Sequence, residues 1–267
     1  MQKRHGNRLQ YFQEQGYTTN KYVIPFIEEI KKLTPDSKVL EIGCGEGGNL
    51  KPFLDLGCKC WGIDLNQNQI NNAKTFFTEH PNNKNLTLIC ENIYDIKSLP
   101  QFDFIVMRDV IEHIPNQEKF MGFLQQFMLP GAVVFFGFPP WQMPFGGHQQ
   151  VFKNKFLSKV PYTHLLPRFL YRFVMRVFGE SDGMISSRMD IKDTGISIER
   201  FERIVKKEKY RIEKRHYYLI NPNYEAKFSL KPRKQIGLIA RIPYLRNFFT
   251  TAMYYVLSFQ TKNESNS

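Results

Sequence analysis

The sequence predicts an α/β fold in which helices cover both faces of a doubly wound, mostly parallel sheet. Two observations predict this fold. Short strands rich in Val, Ile and Phe alternate with segments of helical periodicity, and a glycine-rich turn follows the first strand. The chain has 267 residues, of which 42% are hydrophobic, so it can bury the core of one such domain and still carry an insertion.

An amphipathic helix over residues 17–33 precedes the predicted sheet, because apolar residues there recur at helical spacing. Strands and helices then alternate as far as Phe138. The predicted strands cover 38–43, 58–65, 85–92, 102–110 and 131–138, and the predicted helices cover 48–57, 66–80 and 117–128. This alternation is typical of parallel strands joined by helical crossovers.

The alternation stops at residues 139–150, where "PPWQMPFGGHQQ" predicts a loop. A helix over 163–180, a polar connector over 181–195, a helix over 196–210 and strands over 210–220 and 252–260 are predicted to follow. The sequence therefore predicts three segments. They are an N-terminal helix with the ligand-binding core at 1–139, an inserted helical substrate lid at 140–196, and a helix with the strands that complete the sheet at 197–267.

The stretch "VLEIGCGEGGNL", residues 39–50, places glycines between the first strand and the next helix. Gly43, Gly45 and Gly47 let the backbone approach a nucleotide-like ligand, which in doubly wound folds binds at this turn. The acids Glu41 and Glu46 beside these glycines favour a ligand that carries positive charge rather than phosphate. Asp64, at the end of the second strand, is placed to accept both ribose hydroxyls.

Five motifs occur in order between residues 37 and 139: "VLEIGCGEGGNL", "WGIDLN", "ENIYDI", "DFIVMRDVIEHI" and "LPGAVVFFGFP". In their order and spacing they resemble the successive motifs of class I methyltransferases that use S-adenosyl-L-methionine (SAM) and have a Rossmann-like fold. The resemblance implies a seven-stranded sheet, and it implies SAM as the cofactor. An adenosine with an ammonium and a sulfonium group also meets the demand for a cationic, ribose-bearing ligand.

The resemblance also implies the residues that bind SAM. Glu41, Gly43, Cys44 and Gly45 would face its methionine part. Asp64 would hold the ribose, with Leu65 against the adenine. Asn92, followed by Ile93, stands where the family often has an aspartate that accepts from the adenine amino group, and an amide oxygen can accept the same bond. Arg108 and Asp109 would lie beside the methionine part and the entrance to the substrate pocket.

Transfer of a methyl group to a hydroxyl requires a base that removes the proton, and two histidines are candidates. His113 follows the fourth strand, and His148 lies in the loop after the fifth strand, at the edge where open α/β sheets bind substrates. For each, the alternative is a histidine that only bonds to a loop backbone or to solvent. We name both as candidate catalytic residues.

A divalent metal is a further hypothesis, which we do not favour. The spacing of Asp109, Glu112 and His113 places their side chains on one helical face, and His148 could be a fourth ligand. This set resembles the metal site of some quinone and small-RNA O-methyltransferases. Many family members carry the same residues without a metal.

The net charge of +12 is concentrated in the second half of the chain, where residues 141–267 contain 23 Lys and Arg but only 10 acids. In segment 164–180, apolar residues such as Phe169 and Phe173 recur at helical spacing beside a row of arginines. One reading is a lid helix with solvated arginines. The other is a basic amphipathic helix that contacts a membrane surface or an anionic, lipid-like acceptor. Nucleic acid is a less favoured partner, since no RNA-binding module is appended.

The sequence thus predicts a SAM-dependent methyltransferase that acts on oxygen of an apolar or anionic small molecule, with a lipid-linked molecule as one option. The alternatives are an RNA methyltransferase, a non-catalytic SAM-binding protein and a dehydrogenase that shares the glycine loop. The chain begins without an apolar leader, and no apolar run approaches the length of about 18 residues that spans a bilayer. We therefore expect a cytoplasmic protein, with peripheral membrane contact as an added option.

Overall fold

A single eight-stranded sheet organises the computed structural model, which describes residues 7–259. The strands are β1 Lys38–Ile42, β2 Lys59–Asp64, β3 Leu86–Cys90, β4 Phe102–Arg108, β5 Met128–Phe138, β6 Tyr210–Ile220, β7 Arg233–Lys234 and β8 Ala252–Phe259. Their order across the sheet is β3-β2-β1-β4-β5-β8-β6-β7. The first five strands are parallel, whereas β8, β6 and β7 pair antiparallel with their neighbours.

This architecture confirms the predicted doubly wound α/β fold and corrects the strand count from seven to eight. The additional strand is β7, which has two residues and pairs with the end of β6 at the edge of the sheet. A two-residue strand has no periodicity that a sequence pattern could reveal.

The helices lie between the strands and in two long connections. They are α1 Arg8–Thr18, α2 Ile24–Glu28, α3 Lys51–Asp55, α4 Gln67–Phe76, α5 Gln117–Leu124, α6 Arg168–Val177, α7 Asp182–Thr194, α8 Ile198–Lys207, α9 Asn223–Phe228, α10 Gly237–Ala240 and α11 Leu245–Phe248. A π-helical turn, Thr19–Val23, joins α1 to α2. Within residues 7–259, no helix combines the length and the apolar character that crossing a bilayer requires.

Two apolar cores lie on opposite faces of the sheet. Successive residues of β4 alternate between them, with Phe104 and Val106 in one core and Ile105 and Met107 in the other. Because both faces are covered, the central strands carry apolar side chains on both faces, which explains their long apolar runs. A third, smaller core unites residues 152–189.

The strand order reverses between β1 and β4, and this switch point opens a crevice at the carboxyl ends of the parallel strands. Antiparallel pairing brings β8 to the same edge, since Phe138 at the end of β5 pairs with Met253 at the start of β8. The end of β6 reaches this edge as well, because Tyr218 pairs with Ala252. The connections at 139–197 and 221–251 therefore both emerge on the ligand side of the sheet.

The segment at 181–195, predicted as a polar connector, instead forms helix α7. Ser181 caps it by accepting a hydrogen bond from the Met184 backbone amide, and the buried Ile185 and Met189 lie one turn apart. Only these few apolar positions face the small third core, so the helical pattern in the sequence is weak.

Helix α6 is shorter than the predicted 163–180. Tyr171 and Met175 are buried, whereas Phe169, Phe173 and Val177 are exposed. Of the two readings of this segment, a packed lid helix would bury these three residues, and a helix that contacts a surface would expose them. Periodicity can detect an apolar stripe but cannot tell which of two stripes meets the core.

The N-terminal helix begins at Arg8 rather than at residue 17 and lies against the glycine loop. A Cβ atom on Gly48 would lie 2.5 Å from the Phe12 carbonyl oxygen, so the backbones of α1 and the loop are in direct contact. The last glycine of the loop therefore serves the packing of α1.

Candidate active site

The loop after β1 is bonded to the end of β2 through Asp64. One Asp64 oxygen accepts from the Gly45 backbone amide at 2.8 Å, and the other accepts from the Asn66 backbone amide at 2.8 Å. Each carboxylate oxygen has two lone pairs, so both retain one for a further donor. The Asp64 carboxylate is thus held rigidly and can still accept two ribose hydroxyls.

Gly43 occupies a position that no other residue fits well. Its φ is +72°, and a Cβ there would lie 2.5 Å from a methyl carbon of Val110. The close approach brings the turn after β1 against the turn after β4, where Asp109 also adopts a positive φ of 54°. These two turns flank the switch point of the sheet.

An open pocket of about 400 Å³ lies at this point and is called the cofactor pocket below. Its lining includes five of the residues predicted to bind SAM: Gly43, Asp64, Leu65, Asn92 and Ile93. Leu65 is 73% exposed and Ile93 is buried, so the two offer an outer and an inner apolar surface. The volume lies within the range of about 300–1,000 Å³ that is usual for small-molecule sites.

A buried polar network lies behind the loop. Glu41 accepts a hydrogen bond of 2.6 Å from the Asn49 side-chain amide, and the other Glu41 oxygen has no hydrogen-bond partner. Burial raises the pKa of Glu41 to about 8, although Asn49 and Arg108 oppose that shift. Glu41 is therefore mostly protonated at neutral pH, and a cationic ligand bound beside it would favour the ionised form.

Arg108 joins this network to two distant segments. Its guanidinium donates to Thr19 Oγ1 at 2.9 Å, to the Asn49 side-chain oxygen and to the Asn223 side-chain oxygen. Thr19 belongs to the π-helical turn and Asn223 begins α9. Arg108 therefore bonds both of these segments to the end of β4.

Two residues of the loop point away from the ligand side. The Cys44 thiol is buried beside Gly62, and burial raises its pKa well above the usual range, so only its backbone belongs to the loop surface. Glu46 forms an ion pair with Arg8 of the N-terminal helix. The charge of Glu46 is therefore paired within the fold.

The two candidate catalytic histidines meet where the cofactor pocket borders a second pocket. His113 lines the cofactor pocket, His148 lines the second pocket, and their ring centroids are 5.3 Å apart. Burial lowers the pKa of His148 to about 3, and burial also lowers the pKa of His113. Both rings are therefore neutral near pH 7, and the unprotonated nitrogen of each ring can accept a hydrogen bond.

Glu112 completes a cluster with these histidines. Ligand atoms of Glu112, His113 and His148 lie within 4.8 Å of one another. Both Glu112 oxygens are buried without a hydrogen-bond partner, and burial, with Asp109 nearby, raises its pKa well above the usual range. Three of the four residues in the metal hypothesis are thus together, while Asp109 lies outside the cluster. Their neutral imidazoles and orphan carboxylate fit a divalent cation.

The second pocket, called the acceptor pocket below, has a volume of about 490 Å³. Asp109 lines it together with residues from three other segments of the chain. The lining includes Tyr11 of α1, Met143, Phe145, His148 and Val151 of the connection after β5, and Asn223, Tyr224, Lys227, Phe228 and Leu230 of the β6–β8 connection. The wall is mainly apolar, and Lys227 and Asp109 are its charged residues.

The sequence analysis missed Tyr11 and the contribution of the β6–β8 connection. Burial, aided by Asp109, raises the pKa of Tyr11 to about 12, so it is a neutral hydroxyl in the pocket wall. Phe12 and Gly16 at helical spacing after Asn7, which caps α1, are the signal that could have extended the helix to Tyr11. The contribution of α9 had no comparable signal, because it depends on where β6 ends.

The glycine loop and the Asp64 carboxylate lie at the switch point beside two pockets, which is where doubly wound folds bind a nucleotide-like ligand. Residues 9–172 match the family described as "Methyltransferase domain". Since this is more than half of the chain, the protein belongs to that family. The chain therefore contains a methyltransferase domain.

Comparisons with known proteins agree with this assignment. A segment of 107 residues is 32% identical to the mitochondrial ubiquinone biosynthesis O-methyltransferase of Dictyostelium discoideum, over 36% of this chain and 33% of that protein. The match therefore spans about a third of the relative's length. A SAM-dependent methyltransferase from Clostridium acetobutylicum superposes with a TM-score of 0.57 at 14% identity, over 92% of both chains. A geranyl diphosphate C-methyltransferase from Streptomyces coelicolor, solved with S-adenosyl-L-homocysteine, gives a TM-score of 0.56 at 10% identity, over 88% of this chain and 77% of that one.

Proposed function

We propose that this methyltransferase transfers the methyl group of SAM to a hydroxyl of an apolar small molecule that carries a negative charge. The observation that carries the proposal is the junction of the two pockets at His113 and His148. A ligand in the cofactor pocket and an acceptor in the neighbouring pocket would meet beside two neutral imidazoles.

The lining of the acceptor pocket supports an apolar acceptor. Met143, Phe145, Val151 and Phe228 offer apolar surface, and Lys227 offers a positive charge to an anionic group. The ubiquinone biosynthesis enzymes among the relatives are O-methyltransferases by name, which favours oxygen as the acceptor atom. A lipid-like phenol or a similar hydroxylated ring system meets these demands.

Bound SAM supplies a methyl group that its sulfonium already activates. Asp64 would hold the ribose, and Glu41, Gly43, Gly45 and Arg108 would shape the methionine end of the site. Asn92 and Ile93, with Leu65, would hold the adenine. These contacts fix the direction of the methyl group, because an in-line transfer depends chiefly on position.

His148 would accept the proton of the acceptor hydroxyl, and His113 would stand next to it on the cofactor side. The low pKa of His148 keeps the ring neutral and ready to accept a hydrogen bond. An anionic acceptor, once bound, would raise that pKa and strengthen His148 as a base.

The insertion at 140–196 would act as the substrate lid, since Met143, Phe145, His148 and Val151 contribute to the acceptor pocket. Helix α6 of this lid presents Phe169, Phe173 and Val177 to solvent beside exposed arginines. Such a face is suited to peripheral contact with a membrane that holds a lipid-like acceptor.

The test begins with labelled SAM and a panel of hydroxylated aromatic compounds with apolar tails. On the best acceptor, His148→Ala should lower kcat by about 100-fold or more, while the Kd for SAM stays unchanged in calorimetry. His80→Ala is the matched control, because His80 bonds to Asp55 at the end of α3 and lines neither pocket. Full activity in His148→Ala would reject His148 as the base.

Exhaustive treatment with EDTA tests the metal hypothesis on the same reaction. Undiminished activity is expected if the histidines act as bases. Loss of activity that added Mg²⁺ or Zn²⁺ restores would instead assign Glu112, His113 and His148 to a metal. Transfer to RNA, with none to the small molecules, would replace the proposal by the RNA methyltransferase alternative.

A further inference from the structure

Exposed apolar side chains are concentrated in the connection between β6 and β8. Eighteen large hydrophobic residues are exposed within residues 7–259, and eight of them lie in the 22 residues from 228 to 249. They are Phe228, Leu230, Ile236, Leu238, Ile242, Tyr244, Leu245 and Phe249. Leaving so many apolar side chains in water is unfavourable. A patch of this kind therefore usually marks an interaction site.

The segment is anchored from inside. Asn247 donates to Glu199 at 2.6 Å, Arg246 donates to the same carboxylate at 2.9 Å, and Gln235 donates to the Phe249 carbonyl at 2.6 Å. These polar groups are buried, while their apolar neighbours in the chain point to solvent. The backbone that carries the exposed apolar side chains is therefore held in place by buried hydrogen bonds.

The charge of this connection is strongly positive. Residues 221–251 contain six Lys and Arg but one acid, Glu225. Lys231, Arg233, Lys234 and Arg241 are exposed in the same stretch as the apolar side chains. Apolar groups that enter the acyl boundary, mixed with cations that meet phosphate headgroups, are the combination that binds an anionic bilayer.

The patch continues into the acceptor pocket. Phe228 and Leu230 belong to the exposed apolar set and also line that pocket, and Lys227 precedes them in the same wall. Anything bound to the patch lies at the mouth of the pocket.

A lipid bilayer fits this surface better than other partners do. A second copy of the chain would bring two surfaces of the same positive charge together, which is unfavourable. A nucleic acid would contact the cations but would leave aliphatic side chains such as Ile236 and Leu238 in water.

We infer that the β6–β8 connection, residues 221–251, is a membrane-docking surface for anionic lipid, and that it places the mouth of the acceptor pocket on the bilayer. This inference rests on the proposed function in one respect, namely that the acceptor is lipid-like. Docking would let such an acceptor pass from the bilayer into the pocket without crossing water.

The experiment is co-sedimentation with vesicles of phosphatidylcholine alone and of phosphatidylcholine mixed equally with phosphatidylglycerol. The full chain should sediment with the mixed vesicles and remain in solution with the neutral ones. The double variant Ile236→Ser/Leu238→Ser should lower the bound fraction at least about fivefold, because two large apolar anchors are lost. Leu9→Ser is the matched control, since Leu9 is an exposed apolar residue of α1.

The variant Phe173→Ser tests whether helix α6, rather than the β6–β8 connection, binds the vesicles. The inference is overturned if no binding to mixed vesicles occurs, if Ile236→Ser/Leu238→Ser binds like the unaltered chain, or if only Phe173→Ser reduces binding. It is also overturned if light scattering shows that the double variant converts a dimer to a monomer. SAM affinity and methylation of a detergent-dispersed acceptor should be unchanged in the double variant. If the unaltered chain neither bound SAM nor methylated the dispersed acceptor, that result would contradict the proposed function, whatever the binding to vesicles.

Discussion

Asp64 illustrates how a single side chain can hold a loop and keep acceptor positions open for a ligand. Its two oxygens each accept a backbone amide, from Gly45 and from Asn66, and each oxygen can accept one more donor. The sequence could predict Asp64, because a carboxylate at the end of the second strand has one common use in such folds. It could not predict the orientation of Cys44 or the pairing of Glu46 with Arg8, since both depend on how α1 packs.

Asp64→Ala should weaken SAM binding by about 10-fold to 100-fold, because hydrogen bonds to both ribose hydroxyls are lost. The fold should persist, since Asp64 lies at the margin of a pocket. Calorimetric titration with SAM measures the effect. Asp55→Ala, which removes an exposed carboxylate paired with Lys51, should bind SAM normally. Normal affinity in Asp64→Ala would invalidate the assignment of the ribose site.

At the scale of elements, the quality of the prediction follows the depth of burial. The central strands were predicted to within a few residues, because both of their faces are covered and their apolar runs are continuous. Helix α7 was missed, since it meets only the small third core. The predicted start of α1 was too late, because few of its residues are both apolar and buried. The wall that α9 adds to the acceptor pocket could not be predicted, because periodicity does not tell which edge of the sheet a connection crosses.

Two glycine substitutions test the difference between a required and a tolerated glycine. Gly43→Ala should destabilise the protein by about 1–2 kcal/mol or more and weaken SAM binding, because its φ is +72° and the new Cβ would meet Val110 at 2.5 Å. Gly183→Ala, in α7, should stabilise it by up to about 1 kcal/mol, since no atom lies within 4 Å of the new Cβ. Urea unfolding measures both changes. Equal effects of the two substitutions would contradict the strain at Gly43.

At the scale of the whole molecule, buried carboxyl groups should make stability depend on pH. Burial raises the pKa of Glu41 from 4.5 to about 8, so Glu41 is protonated in the folded state and ionised in the unfolded state between these values. Unfolding then releases a proton, and the free energy of unfolding falls as pH rises through that window, by up to about 1.4 kcal/mol per pH unit for one group. Glu112 acts in the same direction.

The histidines with lowered pKa act in the opposite direction, but only below about pH 6.5, where they are still protonated in the unfolded chain. Urea unfolding of the ligand-free protein should therefore show a loss of stability between pH 6.5 and 8. Glu41→Gln should reduce this slope. A variant with the full slope would show that Glu41 is ionised in the folded protein.

Arg108 has a consequence for the order of events in folding. It holds Thr19, Asn49 and Asn223, so the groups that close the site are contributed from positions spread over most of the sequence. Contacts between such distant positions form late, because their loop-closure entropy must first be offset. We therefore expect the proposed SAM site to be complete only after α9 has packed, so that ligand binding would report the end of folding rather than an early stage.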